Sequence, residues 1–251
     1  GSNPRWEAAV LNARIRKAYI ENNCKIGLIG PKLDLTYDYH HLSDSLDYLN
    51  KLSNNKSEFN KVLKSAKNPL IILGTSAINN HHGKKILETA GLIAKKIQKN
   101  KNINPLNILN QDISRVGALD LKFYNKKFDN DYNKQLKKHI DKTKPVVFLM
   151  GLDEINFSTF ENAFVVYLGH HGDVSASIAD IILPTPAYTE KSSTYMNIEG
   201  RVIQTTKCHN PIGEAKEEWK IFRVLSDLFE KNLNFNNLGE LRNELTSTYG
   251  Q

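Results

Sequence analysis

The chain has 251 residues, 40% of them hydrophobic and 24% charged, as in a globular protein of one large or two modest domains. No apolar run approaches the roughly 20 residues that a membrane-spanning helix needs, and we expect no signal peptide because no apolar core follows Gly1. The net charge of +7 comes mostly from lysines scattered over loops and helix faces without interleaved aromatic residues, which argues against a nucleic-acid partner.

The first half of the chain alternates between predicted helices and strands. Asn3 and Pro4 have the residue types of an N-cap and a first helical position. The apolar spacing predicts helices over 8–23, 57–66 and 83–99, and short apolar runs predict strands over 25–30, 69–74 and 106–109. The stretches 33–52 and 114–123 fit neither periodicity.

The second half continues this alternation. Strands are predicted over 145–151, 163–169 and 180–183, and helices over 132–141, 215–232 and 238–248. Continuous runs of Val, Ile and Leu are typical of strands buried on both faces, and helices between such strands form the crossovers of a parallel sheet. The sequence therefore predicts an α/β fold of largely parallel sheets with helices on both faces. A polar break at 53–56 favours a boundary between two lobes.

The segment 169–206 carries the densest polar chemistry of the chain. Ligands of open α/β sheets bind at strand ends, and a long polar loop follows the strand at 180–183. Its polar groups either meet at a ligand or satisfy one another, and the residues alone leave both interpretations open. Gly200 permits a left-handed turn. The six candidate site residues are Thr189, Glu190, Lys191, Asn197, Glu199 and Arg201.

Other motifs indicate a site more weakly. The turn GTSA at 74–77 looks like a phosphate-binding turn but lacks the GxGxxG and GK[ST] patterns. The sequence has three pairs of adjacent histidines: His40–His41, His81–His82 and His170–His171. Adjacent side chains on an extended chain point to opposite sides, so such a pair does not converge on a metal. Cys24 and Cys208 are too few for an iron–sulfur or structural zinc centre, which needs about four ligands. These motifs predict no metal site in this chain.

Several motifs resemble the molybdopterin oxidoreductase superfamily. The stretch 179–204 reads ADIILPTPAYTEKSSTYMNIEGRVIQ and is similar to the ADVVLP, TEK and EGR signature of that superfamily, while GSNPR at 1–5 is similar to its GxNP element. Three further stretches resemble one family within this superfamily: IGLIGPKLDLTYDYHHL, SRVGALDL and VVYLGHHGD. This family comprises the large iron–sulfur subunits of respiratory NADH–quinone oxidoreductase (complex I) in bacteria and in mitochondria, where the member is called the 75 kDa subunit.

The resemblance implies that the chain is the C-terminal region of a longer subunit, whose complex passes electrons from NADH through iron–sulfur clusters to quinone. Residues 1–55 would be the remainder of a first α/β lobe, and 56–251 a second lobe with the polar loop 184–206 and C-terminal helices. The 4Fe–4S and 2Fe–2S clusters would lie before Gly1, and this chain would hold neither a cofactor nor a catalytic residue.

The resemblance also implies other peripheral-arm subunits as partners, with membrane contact only through the complex. The location would be the cytoplasmic side of a bacterial inner membrane or the matrix side of a mitochondrial one. The alternative is the C-terminal part of a molybdenum or tungsten oxidoreductase such as a formate dehydrogenase. In the respiratory subunit the six candidates would be remnants of a cofactor cleft that now act as cross-links. Replacing Arg201 with Ala is then expected to lower stability or assembly.

Overall fold

The computed structural model describes residues 2–113, 115–123, 132–152, 154 and 156–249. The chain forms two compact units, Gly1–Arg115 and Val116–Gln251. Within the described residues, no helix is both long enough and apolar enough to cross a membrane.

The first unit contains two pairs of parallel strands and six helices in its described part. The strands are β1 (Gly27–Ile29), β2 (His40–Ser43), β3 (Ile71–Gly74) and β4 (Leu106–Leu109), with β1 paired to β2 and β3 to β4. The helices are α1 (Pro4–Glu7), α2 (Ala9–Asn22), α3 (Tyr48–Ser53), α4 (Phe59–Ser65), α5 (Thr75–Ile78) and α6 (Gly83–Ile97). The Asn3 side chain accepts from the Arg5 N–H and caps α1, as predicted.

Helix α6 organises the core of this unit because its apolar residues recur at helical spacing and form one buried stripe. Ile86 and Ala90 pack with Leu73 of β3, and Ile93 packs with Leu52 of α3. The predicted lobe boundary between residues 55 and 56 therefore falls inside a unit whose core includes residues from both sides. The prediction that 1–55 belong to a longer lobe concerns residues outside this chain, and it stays a prediction.

The second unit is built around a parallel three-stranded sheet. The strands β5 (Val146–Met150), β6 (Phe164–Gly169) and β7 (Ile181–Pro184) lie in that order. A separate antiparallel hairpin contains β8 (Thr194–Met196) and β9 (Val202–Gln204). The helices are α7 (Arg115–Asp120), whose first residue ends the first unit, α8 (Tyr132–Thr143), α9 (Val174–Ser177), α10 (Glu218–Leu228) and α11 (Leu238–Tyr249), with a 3-10 turn at Phe157–Thr159.

The two faces of the three-stranded sheet differ in their coverage. On one face Leu149, Val165 and Tyr167 form a core with Phe160 and Ala176, which lie in the β5–β6 and β6–β7 connections. On the other face the Phe148 ring meets Phe222 of α10 at 5.5 Å between centroids. The predicted α/β class with mainly parallel sheets is thus confirmed.

The prediction that the strands are buried on both faces is wrong for β5 and β7. Val146 and Met150 of β5 are 57% and 49% exposed, and Ile182 of β7 is 53% exposed. Only β6, the central strand, is buried along nearly its whole length, because it has a neighbouring strand on each side.

Several elements escaped detection by periodicity. The polar strand β2 pairs in parallel with β1, with His40 opposite Gly27, and the His41 Nε2 lies 2.9 Å from the carbonyl oxygen of Gly30. The loop 184–206 is not wholly irregular, because it contains the hairpin of β8 and β9. Strands of three or four residues that are half polar leave no apolar run for a sequence pattern to detect. In the unassigned stretch 114–123 the structure shows helix α7.

Candidate functional site

The candidate site begins where β6 ends. The buried Tyr167 hydroxyl donates to the Asp173 carboxylate, and that carboxylate also accepts from the Ala176 N–H and caps α9. A Cβ on Gly169 would lie 2.0 Å from the Tyr167 hydroxyl oxygen, so only glycine fits beside this ring. The hydrogen bond from Tyr167 lowers the pKa of Asp173 below its ordinary value, with backbone N–H groups adding to the effect.

The histidine pair after β6 packs as two rings instead of converging on a metal. The His170 and His171 ring centroids lie 4.6 Å apart, edge to face, and both residues are exposed. In the described parts of the chain no three His, Cys, Asp or Glu side chains are grouped so that they could hold a metal ion.

Residues 185–193, called the anchored segment below, connect β7 to the hairpin. The buried Glu190 carboxylate accepts from the Ala187 N–H at 3.0 Å, and His209 Nε2 lies 3.8 Å from its other oxygen. The Thr189 carbonyl accepts from the Cys208 N–H at 2.8 Å. These groups join the segment to itself and to the chain that follows β9.

Lys191 extends these links to helix α10. Its ammonium group donates to the Glu218 carboxylate in the first turn of the helix, and the two side chains are 22% and 23% exposed. An ion pair that is mostly shielded from water interacts more strongly than a surface pair. Lys191 thus holds the anchored segment on α10.

Residues 197–201 form the turn of the hairpin, called the hairpin tip below. The Asn197 side-chain oxygen accepts from the N–H groups of Glu199 and Arg201, at 3.0 and 2.9 Å. Gly200 has a φ of +80°, the left-handed conformation expected from its residue type. Glu199 and Arg201 are exposed, and no hydrogen bond or ion pair joins either side chain to a residue that the structure describes.

Sequence reasoning missed the residue that fixes the base of the hairpin. Arg242 of α11 donates from Nε to the Thr194 hydroxyl and from Nη2 to the Ser193 carbonyl, both at 3.2 Å. The two partners lie nearly fifty residues before Arg242, so no local pattern could reveal this contact. Glu218 was missed for the same reason.

The weaker motifs do not form a second site. At the GTSA turn, a Cβ on Gly74 would lie 1.7 Å from the Ser2 hydroxyl oxygen, so the chain's own residue occupies the space above this glycine. Cys24 and Cys208 are both exposed and lie in different units. Surface depressions of about 450 and 200 Å³ are lined mainly by lysines and polar residues, and none of the six candidates lines either of them.

The geometry does not fit the six candidates as a cofactor cradle. Glu190, Lys191 and Asn197 are already used by protein groups, and Thr189 contributes its backbone carbonyl. Glu199 and Arg201 stand at an open hairpin tip and not in a cleft. A buried ligand needs polar groups that converge and are otherwise free, and this loop supplies a polar framework instead.

Comparison with known proteins gives consistent results. The molybdopterin oxidoreductase family profile matches residues 1–228. The chain is 40% identical over 98% of its length to the NADH-ubiquinone oxidoreductase 75 kDa subunit of Reclinomonas americana, of which the match covers 35%. It is 39% identical to the mitochondrial 78 kDa subunit of Neurospora crassa, again over 98% of the chain and 32% of the relative. A mitochondrial NADH dehydrogenase iron–sulfur protein 1 of Solanum tuberosum is 36% identical. The chain spans about a third of the length of these relatives.

Proposed function

Because the chain belongs to the molybdopterin oxidoreductase family, we propose that it is the non-catalytic scaffold region of a large iron–sulfur subunit of NADH–quinone oxidoreductase. The observation that carries this proposal is about 40% identity, over nearly the whole chain, to 75 and 78 kDa subunits of that enzyme. The full-length subunit would take part in passing electrons from NADH through iron–sulfur clusters to quinone.

The internal pairing of the candidate residues supports the scaffold role. A catalytic lobe needs free polar groups facing its substrate or cofactor, whereas Glu190, Lys191 and Asn197 hold the loop together. The contribution of this chain would be a rigid α/β body that positions neighbouring parts of the subunit and the complex. No catalytic step is assigned to its residues.

The proposal extends to cofactors and location. We place the 4Fe–4S and 2Fe–2S clusters in parts of the full-length subunit outside this chain, because two cysteines far apart in sequence cannot supply a cluster. Pterin and molybdenum would be absent from the lobe. The partners would be other peripheral-arm subunits. The names of two relatives favour a mitochondrial location. There the subunit would lie on the matrix side of the inner membrane.

The experiment is a metal and activity analysis of the purified complex that contains the full-length protein. We expect NADH–quinone reductase activity and iron in the amounts that its clusters require, with no stoichiometric molybdenum or tungsten. One molybdenum or tungsten per subunit, together with formate oxidation, would establish the alternative enzyme. A full-length protein that never copurifies with an NADH-oxidising complex would refute the proposal.

A further inference from the structure

Net charge is divided very unevenly between the two units. Residues 1–115 contain 18 Lys and Arg against 9 Asp and Glu, whereas residues 116–251 contain 16 against 18. The first unit therefore has a net charge of +9 and the second a net charge of −2. The positive charge of the chain is a property of the first unit alone.

Most of that excess lies in the segment 59–111. It contains nine lysines, no arginine and a single acidic residue, Glu88. Six of the nine lie on α4, on the last turn of α6 or just after these helices, and all six are exposed. We call them the lysine patch: Lys61, Lys64, Lys67, Lys95, Lys96 and Lys99.

Two hydrogen bonds show that the helix ends in this patch are neighbours. The Lys99 ammonium donates to the Lys64 carbonyl at 2.7 Å, near the C-terminus of α4. The Lys96 ammonium donates to the Ser53 carbonyl at 2.6 Å, at the C-terminus of α3. Three helix C-termini therefore meet at one surface, and the lysines of α4 and α6 lie around them.

Helix capping accounts for only part of this arrangement. A cation near the C-terminal carbonyls of a helix is favourable, and this explains Lys96 and Lys99. Among the residues that the structure describes, the other four ammonium groups have no carbonyl partner of this kind, and no carboxylate forms an ion pair with any of the six. Like charges that crowd together repel one another, so an unneutralised cluster costs stability in the isolated chain.

The composition of the patch indicates the kind of partner. Nucleic-acid surfaces usually combine arginine forks with exposed aromatic rings, but segment 59–111 has no arginine, and its one Phe, Tyr or Trp residue, Phe59, packs in the core. Lysines alone provide strong, long-range attraction to negative charge without geometric selectivity. Clustered carboxylates on a folded protein surface match this chemistry.

We propose that the lysine patch docks against an acidic surface of a neighbouring protein subunit. This inference rests on the proposed function, because it takes the chain to be part of a multisubunit assembly. It adds a surface and a partner chemistry: the end of α4 and α6 meets a face rich in Asp and Glu. Rim charges of this kind speed association and make assembly sensitive to salt.

The test places charge reversals in the full-length subunit in its own host. The patch variant carries Lys61→Glu, Lys64→Glu and Lys67→Glu. The matched control carries Lys138→Glu, Lys142→Glu and Lys231→Glu, three exposed lysines of the second unit with the same change in charge. A third variant carries Lys61→Gln, Lys64→Gln and Lys67→Gln. The fraction of each subunit in the NADH-oxidising complex is measured by native gel electrophoresis at low and high salt.

We expect the patch variant to assemble roughly tenfold less than the control and the Gln variant to be intermediate. Because both variants relieve the repulsion among the lysines, neither purified subunit should melt below the wild type. Equal assembly of all three variants overturns the inference. Binding of the wild type to duplex DNA or to phosphatidylserine vesicles at physiological salt, lost in a patch variant that still assembles, also overturns it. If even the wild type is missing from the complex, the proposed function fails instead.

Discussion

The anchored segment and the hairpin tip are two halves of one polar loop, and they differ in what surrounds them. Both contain a Glu and a basic residue within a few positions. In the anchored segment the buried Glu190 carboxylate accepts from the Ala187 N–H, and Lys191 forms an ion pair with Glu218. At the tip Glu199 and Arg201 are exposed, and only Asn197 is used, to shape the turn.

The comparison shows that residue type within a loop does not determine a role. The buried Glu190 carboxylate becomes a structural cross-link because desolvation makes its partner necessary. The Glu199 carboxylate, three residues beyond the end of β8, stays in water and contributes little to stability. A family motif therefore preserves residues that the fold uses in different ways.

The largest effect is expected from breaking the link between the anchored segment and α10. Lys191→Met leaves the Glu218 carboxylate largely shielded and without its ammonium partner, which should lower the free energy of unfolding by about 2 kcal/mol. Urea denaturation monitored by Trp219 fluorescence measures this change. A Trp6→Phe background removes the other tryptophan signal, which comes from the first unit.

A second substitution separates the ion pair from other consequences of the mutation. Adding Glu218→Gln to Lys191→Met removes the unpaired charge and should restore part of the lost stability. If Lys191→Met unfolds at the wild-type urea concentration, Lys191 does not anchor the loop. The anchored segment and the hairpin tip would then not differ in how their charged side chains contribute to stability.

A smaller effect is expected within the tip. Asn197→Ala removes the acceptor for the N–H groups of Glu199 and Arg201 and should cost the turn about 1 kcal/mol. Hydrogen exchange at those two amides should become about fivefold faster, while the amides of β6 keep their rates. Asn197→Asp retains the acceptor and serves as the control; if the Asp variant exchanges as fast as the Ala variant, the acceptor does not hold the turn.

The smallest effect on stability is expected at Arg201, for which the sequence predicts that replacement with Ala lowers stability or assembly. Its exposed guanidinium forms no hydrogen bond or ion pair with a described residue, so Arg201→Ala should change the free energy of unfolding by less than about 0.5 kcal/mol. Thermal melting of the chain checks this. If the complex with Arg201→Ala assembles normally but loses NADH–quinone turnover, the scaffold role is contradicted and Arg201 takes part in the reaction.

Much of the fold could be predicted because it depends on local patterns. The apolar residues of α6 recur at helical spacing, and continuous apolar runs mark β3, β5 and β6. Asn3 with Pro4 marks a helix start. The hairpin of β8 and β9 could not be found in this way, because three-residue strands are shorter than any reliable alternation. The pairing partners Glu218 and Arg242 were equally hidden, since each lies far along the chain from the residue it contacts.

The sequence by itself determined the family, the α/β class and most helices and strands. These features depend on residue identity and on spacing over a few residues. Only the tertiary structure decided which polar residues are cross-links and which are exposed, that Ser2 occupies the space above Gly74, and that lysines of α4 and α6 meet at one surface. Burial and pairing depend on segments far apart in the chain, and desolvation makes a charge structural only where folding brings its partner close.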